Sequence, residues 1–185
     1  MGVAATVLRR VAWKATVGEP RPDVSFIPMM ERRRLSLVER AARHVAWKVY
    51  HPEMPGTAPL PPASETPVVF ASRWGEIGTT LNLIRQMHDE GEMSPAGFSV
   101  SVHNAAPGAW SLLMGNHAAY TAIAARERSY EMGLLEAEAQ LASRTVPGIL
   151  YVYAEESTPD YYLPSFGARV EAHAVAQLLI PAEGA

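Results

Sequence analysis

The sequence predicts an α/β fold, a layered sheet with helices packed against it, and three observations point there. Two short continuous apolar runs, Val68-Val69-Phe70-Ala71-Ser72 and Ile149-Leu150-Tyr151-Val152-Tyr153, have the composition of strands buried on both faces. Segments of helical periodicity lie around and between them. Strands and helices alternate along the chain rather than separating into blocks, which argues against a bundle or a sandwich. The length of 185 residues, 48% hydrophobic and 19% charged, fits one unit spanning 1–185 with a sizeable core.

Val3 to Ala15 alternates loosely through Val3, Ala5, Val7, Val11 and Trp13, giving one or two strands before Gly18-Glu19-Pro20-Arg21-Pro22 interrupts. From Leu35 the apolar positions Leu35, Val38, Ala42, Val45 and Val49 mark a helix of about four turns. His51 to Pro67 carries six prolines, Pro55 among them, and reads as a surface connection because each lacks an amide donor. The first buried strand follows at Val68 to Ser72. A helix is expected over Thr79 to Met87, with a hydroxyl cap near its start and Gly91 near its end. Phe98, Val100 and Val102 alternate with Ser99, Ser101 and His103, ahead of a small-residue helix that opens at Asn104 and contains Trp110, Leu112, Leu113 and Met114. Tyr120 to Ala125 is a strand, Tyr130 to Arg144 a helix that Pro147-Gly148 stops, and Ile149 to Tyr153 the second buried strand. An aromatic loop, Tyr161 to Phe166, precedes a last strand over Ala172 to Ile180.

Composition excludes more than it selects. Sixteen Lys+Arg against 19 Asp+Glu leave a net charge of −3, which gives no electrostatic reason to expect nucleic acid or an anionic membrane surface as partner. The absence of cysteine removes disulfides, thiolate metal sites and cysteine nucleophiles, and fits a cytoplasmic location. No run of about 18 apolar residues is present, and Arg9, Arg10 and Lys14 interrupt any N-terminal apolar region, so neither a membrane span nor secretion is expected.

The chemistry-bearing residues are scattered. Gly75 and Gly78 lack the partners of a phosphate loop, and the six histidines form no His-x-x-x-His or Glu-x-x-His pair, so no cofactor and no metal is expected. His103-Asn104 could orient a carbonyl, yet no Ser stands near it in a nucleophile context. Asp89-Glu90 and Glu155-Glu156 read as solvated ends of elements. Arg32-Arg33-Arg34 opens a helix, where the dipole disfavours cations, so something negative is expected to meet it.

Three segments taken together, Phe26 to Ser36, Val69 to Glu76 and Ser99 to Gly108, resemble the N-terminal half of thiolase-fold β-ketoacyl synthases, and within them the chain-length-factor-like branch of aryl polyene pathways. With Met114-Gly115 and the stretch after it, the resemblance spans most of the chain. It implies the N-terminal half of a thiolase-like fold, a mixed, mostly parallel sheet with flanking helices, without the C-terminal half that holds the family's catalytic histidines. It also implies that the strand Tyr120 to Ala125 is followed by the family's nucleophilic cysteine position. That position falls near Arg126 to Arg128, at Glu127, and a carboxylate does not serve as a thioester-forming nucleophile.

The expectation is therefore a chain that is not an enzyme on its own. It would be a chain length factor forming a heterodimer with a Cys-bearing ketosynthase, either alone or as a dimer of heterodimers, and meeting an acyl carrier protein through the complex. The resemblance implies a dimer interface at Tyr120, Thr121, Ala122, Ile123, Ala124, Ala125, His103 and Asn104. It implies acyl-tunnel contacts from Leu83, Ile84, Met87, Phe98, Val100, Val102, Trp110 and Met114. Two alternatives stand beside it: Glu127 as the base of a malonyl decarboxylation, and a stabilising scaffold that never touches the tunnel. Arg32, Arg33 and Arg34 could also meet an acidic carrier protein.

Overall fold

The computed structural model describes residues 5–52, 59–143, 146–167 and 169–182. The expected strand start at Val3, Pro55 of the connection and the helix end at Arg144 lie outside them. In chain order the elements are β1 (Ala5–Lys14), α1 (Met29–Arg32), α2 (Leu37–Tyr50), β2 (Val68–Ala71), α3 (Ile77–Glu90), α4 (Pro95–Ser99), α5 (Ala105–Met114), β3 (Tyr120–Ile123), α6 (Ser129–Ser143), β4 (Ile149–Glu155), α7 (Leu163–Phe166) and β5 (His173–Pro181).

The strands form one mixed sheet of order β1-β5-β4-β2-β3. β2 pairs in parallel with both β3 and β4, whereas β5 runs antiparallel to β4 and to β1. Alternate side chains leave the sheet on opposite faces. Val68, Phe70, Leu150, Val152, Ala174, Ala176 and Leu178 meet α2 and α5 in the larger core, with Trp13 and Trp110. Val69, Ala71, Ile149, Tyr151 and Leu179 meet Ala137 and Leu141 of α6 in the smaller one. β2 and β4 are covered on both faces, which accounts for their unbroken apolar sequences.

α2 begins two residues after the expected Leu35 because Ser36 forms a capping box. Its hydroxyl accepts from Glu39 N at 3.0 Å, and its own N–H donates to Glu39 Oε2 at 3.1 Å. α6 lies close to the sheet because Gly133 has no side chain; a Cβ there would stand 2.5 Å from Ala71 Cβ and 2.8 Å from Tyr151 Cε2. β1 is a single strand with an irregularity in its pairing between Val7 and Arg9.

The alternating stretch Phe98 to His103 is not a strand. Ser94 accepts a hydrogen bond from Gly97 N at 3.1 Å and Pro95 sits in the first turn, so α4 forms and the chain turns on to α5. β3 ends at Ile123, so Ala124 and Ala125 belong to the following turn. The helix expected at Thr79 starts at Ile77, and Thr79 donates to the carboxylate of Glu76 at 3.1 Å instead of capping. The aromatic loop contains two short helical turns, Asp160–Tyr162 and α7. Among the described residues no helix is long and apolar enough to cross a membrane.

Candidate functional site

β3, β2 and β4 run in parallel and end at one rim of the sheet. The connection leaving β2 includes α5, which packs on the α2 face, whereas the connection leaving β3 includes α6 on the opposite face. Chain departing to opposite sides of adjacent strands opens a crevice at their carboxyl ends, the usual ligand position of α/β sheets. Arg73, just past β2, and Glu127, in the helical turn Arg126–Arg128 after β3, face each other there with 2.7 Å between guanidinium and carboxylate.

A cleft of about 240 Å³ surrounds this pair, walled by Trp74, Tyr153 and Val170, with Arg126, Glu155 and His173 also lining it. The Arg73 guanidinium lies over the Trp74 ring, 4.5 Å from its centre, and Phe166 stacks on Trp74 at 4.1 Å. Tyr162 stacks in turn on Phe166 at 5.3 Å, so the aromatic loop buttresses this side of the cleft. Arg126 has φ +54°, a left-handed conformation that disfavours a residue with a side chain. The buried Ser129 hydroxyl holds it there, donating to Arg126 O at 2.7 Å and accepting from Ala125 N at 2.9 Å.

Glu155 departs from the expectation of a solvated strand end. It is buried and accepts from the Arg73 N–H and, at 3.2 Å, from the Ser72 hydroxyl. Glu156 accepts from Gly78 N at 2.6 Å, and burial raises its carboxyl above the ordinary range. Glu76, also buried, accepts from Ser36 Oγ at 2.9 Å. Burial first, and then the nearby Glu39 charge, push the Glu76 carboxyl up to about 8. Asp89 and Glu90 are exposed, as expected. Among the described residues no ion pair reaches Arg32, Arg33 or Arg34; Arg33 Nη2 meets Met29 Sδ at 3.7 Å.

The expected tunnel residues divide. Ile84, Met87, Phe98, Val100 and Val102 are exposed, Phe98 by 56%, and form an apolar surface contributed by α3, α4 and the turn after it. Trp110 is internal at 3% exposure, stacked on Tyr50 in the larger core, so its side chain is not offered to a neighbour. Leu83 is also buried, beside Gly97 of α4, and Met114 packs against the larger core.

The expected interface residues gather at the sheet edge. Among the described residues β3 is an outermost strand, paired on one side only, with Tyr120 exposed and Thr121, Ala122 and Ile123 half-buried. His103 bonds through Nε2 to Ile123 O at 3.0 Å and fills the space under Gly75, where a Cβ would stand 2.6 Å from Nδ1. Asn104 is exposed at the start of α5 and makes no side-chain capping bond. Glu127 is the one expected residue placed in the cleft. Arg126 bounds the stretch in which the nucleophile position was expected, whereas Trp74, Tyr153 and His173 were not anticipated there, although Trp74 follows a buried parallel strand and its arginine, the place where such sheets put functional groups.

The chain resembles solved ketosynthase assemblies. A chain of the ketosynthase ApeO in complex with its chain length factor ApeC, from Xenorhabdus doucetiae, superposes with TM-score 0.72 at 24% identity, covering 85% of this chain and 63% of that one. The ishigamide ketosynthase/chain length factor superposes with TM-score 0.70 at 17% identity, covering 94% of this chain and 55% of that one. A β-ketoacyl synthase from Burkholderia phymatum gives 0.64 at 16% identity over 84% of this chain and 45% of that one. The chain thus spans less than two thirds of each of these proteins, and the likeness establishes the fold. No curated protein matches it by sequence. Residues 9–185 match the model of the β-ketoacyl synthase N-terminal domain, and the chain belongs to that family.

Proposed function

We propose that this chain acts as a chain-length-factor-like subunit. It pairs with a Cys-bearing β-ketoacyl synthase and helps to shape the acyl tunnel of that partner during elongation on an acyl carrier protein, in the cytoplasm, in aryl polyene-type synthesis. The observation that carries this reading is the coincidence of an open strand edge with an exposed apolar surface. β3 offers unpaired backbone groups, and Val100 and Val102 lead directly into His103, which is tied to the end of that strand. Two solved neighbours of the same fold are ketosynthase/chain length factor assemblies, which supports it further.

The turn at Glu127 supports a role without chemistry of its own. A carboxylate does not serve as a thioester-forming nucleophile, and this one rests on the Arg73 guanidinium at 2.7 Å. If Glu127 did act as a decarboxylation base, carbon dioxide release from malonyl carrier protein would fall on Glu127→Ala. On the proposed reading it is unchanged.

Co-expression of the tagged chain with the ketosynthase encoded beside it, followed by size exclusion with mass determination, tests the pairing. A one-to-one complex is expected. A folded monomer indifferent to the ketosynthase overturns the reading. Within the complex, Met87→Ala and Val102→Ala should lengthen the product, whereas a pure scaffold would lose complex stability with product length unchanged.

A further inference from the structure

Arg126 is the unexplained residue of the cleft. Its backbone is held at φ +54°, and among the described residues its guanidinium has no ion pair or side-chain hydrogen bond, although Arg73 nearby is paired. An exposed arginine held in a left-handed conformation, without a protein partner among the described residues and at the carboxyl ends of parallel strands, has the character of a functional constraint, because a glycine at the same position would relieve the backbone.

We infer that the cleft between the ends of β2 and β3 binds a small carboxylate with a compact apolar body, held by Arg126 and competing with Glu127 for Arg73. Glu127 is itself the model of such a ligand, since a carboxylate already rests on the Arg73 guanidinium. Its side chain is 67% exposed, so the pair is weak and exchangeable. The second carboxylate of the cleft, Glu155, is buried and engaged by the Arg73 N–H and the Ser72 hydroxyl, which leaves the two guanidinium groups as the accessible cations beside His173. Planar guanidinium forks match carboxylates in bidentate geometry. The walls of Trp74, Tyr153 and Val170 receive an apolar body, and about 240 Å³ limits it to roughly a single ring or a short chain.

The test is calorimetric titration of the full chain, alone or within its complex, comparing each variant with the wild type in the same kind of preparation. The probes are benzoate, its neutral analogue benzamide, and acetate, which lacks the body. Benzoate should saturate in the millimolar range, with benzamide and acetate at least tenfold weaker. Arg126→Gln should weaken benzoate at least tenfold, and Glu127→Gln, which removes the competing charge, should tighten it several-fold. Arg126→Gly should raise the melting temperature while losing benzoate, an opposition that a purely structural arginine would not produce. Absence of benzoate binding, equal binding of benzamide, indifference to Arg126→Gln, or no tightening in Glu127→Gln overturns the inference. Because these readouts concern only this chain's cleft, they stand or fall separately from ketosynthase pairing.

Discussion

Burial of ionisable groups carries a cost in this fold, and Glu76 shows it. Its carboxyl sits beside Glu39 and Glu156, with Ser36 and Thr79 donating to it, and is pushed from 4.5 to about 8. The native state therefore holds the proton more tightly than the unfolded chain. The stability due to this group is fully present below pH 4.5 and is lost as pH rises through about 8. Glu76→Gln keeps an oxygen acceptor for one hydroxyl, offers its amide N–H to the oxygen of the other, and cannot ionise, so its melting temperature relative to wild type should rise as pH climbs from 5 through about 8. A constant offset would show that Glu76 does not titrate across folding. The companion pair Glu39 and Arg43, 3.4 Å apart and both buried, predicts a different response. Arg43→Ala leaves an uncompensated buried carboxylate and should cost about 3–5 kcal/mol in denaturant unfolding. The burial of Glu155 was likewise not visible in Glu155-Glu156 as a pair of letters, because its donors come from positions 82 and 83 residues away.

Among the elements, those whose periodicity is enforced by burial were legible. β2 and β4 are covered on both sides and read as unbroken apolar runs, and α2 shows its stripe because one face lies on the sheet. α4 was not legible. Phe98, Val100 and Val102 recur at every second position, but all three are exposed, so no pleated face selects that spacing, and Ser94 with Pro95 decides the local structure. The contact of α6 with β2 and β4 is similarly silent in sequence, since it depends on an absent side chain. Gly133→Ala should force Ala71 and Tyr151 apart and destabilise by about 1–3 kcal/mol, with the helix otherwise favouring alanine. An unchanged unfolding midpoint would mean that α6 can lift off the sheet without penalty.

Across the whole molecule, the candidate site was half legible. Glu127 fell where the turn after β3 meets the cleft, but its partners Arg73 and Arg126 matter only once the sheet brings the ends of β2 and β3 together. The apolar surface of Ile84, Met87, Phe98, Val100 and Val102 is covered by none of the described residues. Phe98→Glu should leave the melting temperature of the isolated chain within about 1 °C, since an exposed substitution removes little packing. In the proposed complex the same change should weaken association at least tenfold, read by size exclusion or light scattering. Loss of folding without loss of pairing would reassign the surface to the core.

The two borders of the sheet are unlike. β1 carries Arg9, Arg10 and Lys14 and a break in its register, whereas β3 reads Tyr-Thr-Ala-Ile, short and uncharged. Charge and irregular register deter strand addition, and a small neutral strand permits it. Growth by edge pairing can therefore proceed from one side only. A sheet that joined through β3 would leave the β1 border of this chain guarded, so that among the described strands no second edge invites a fibre.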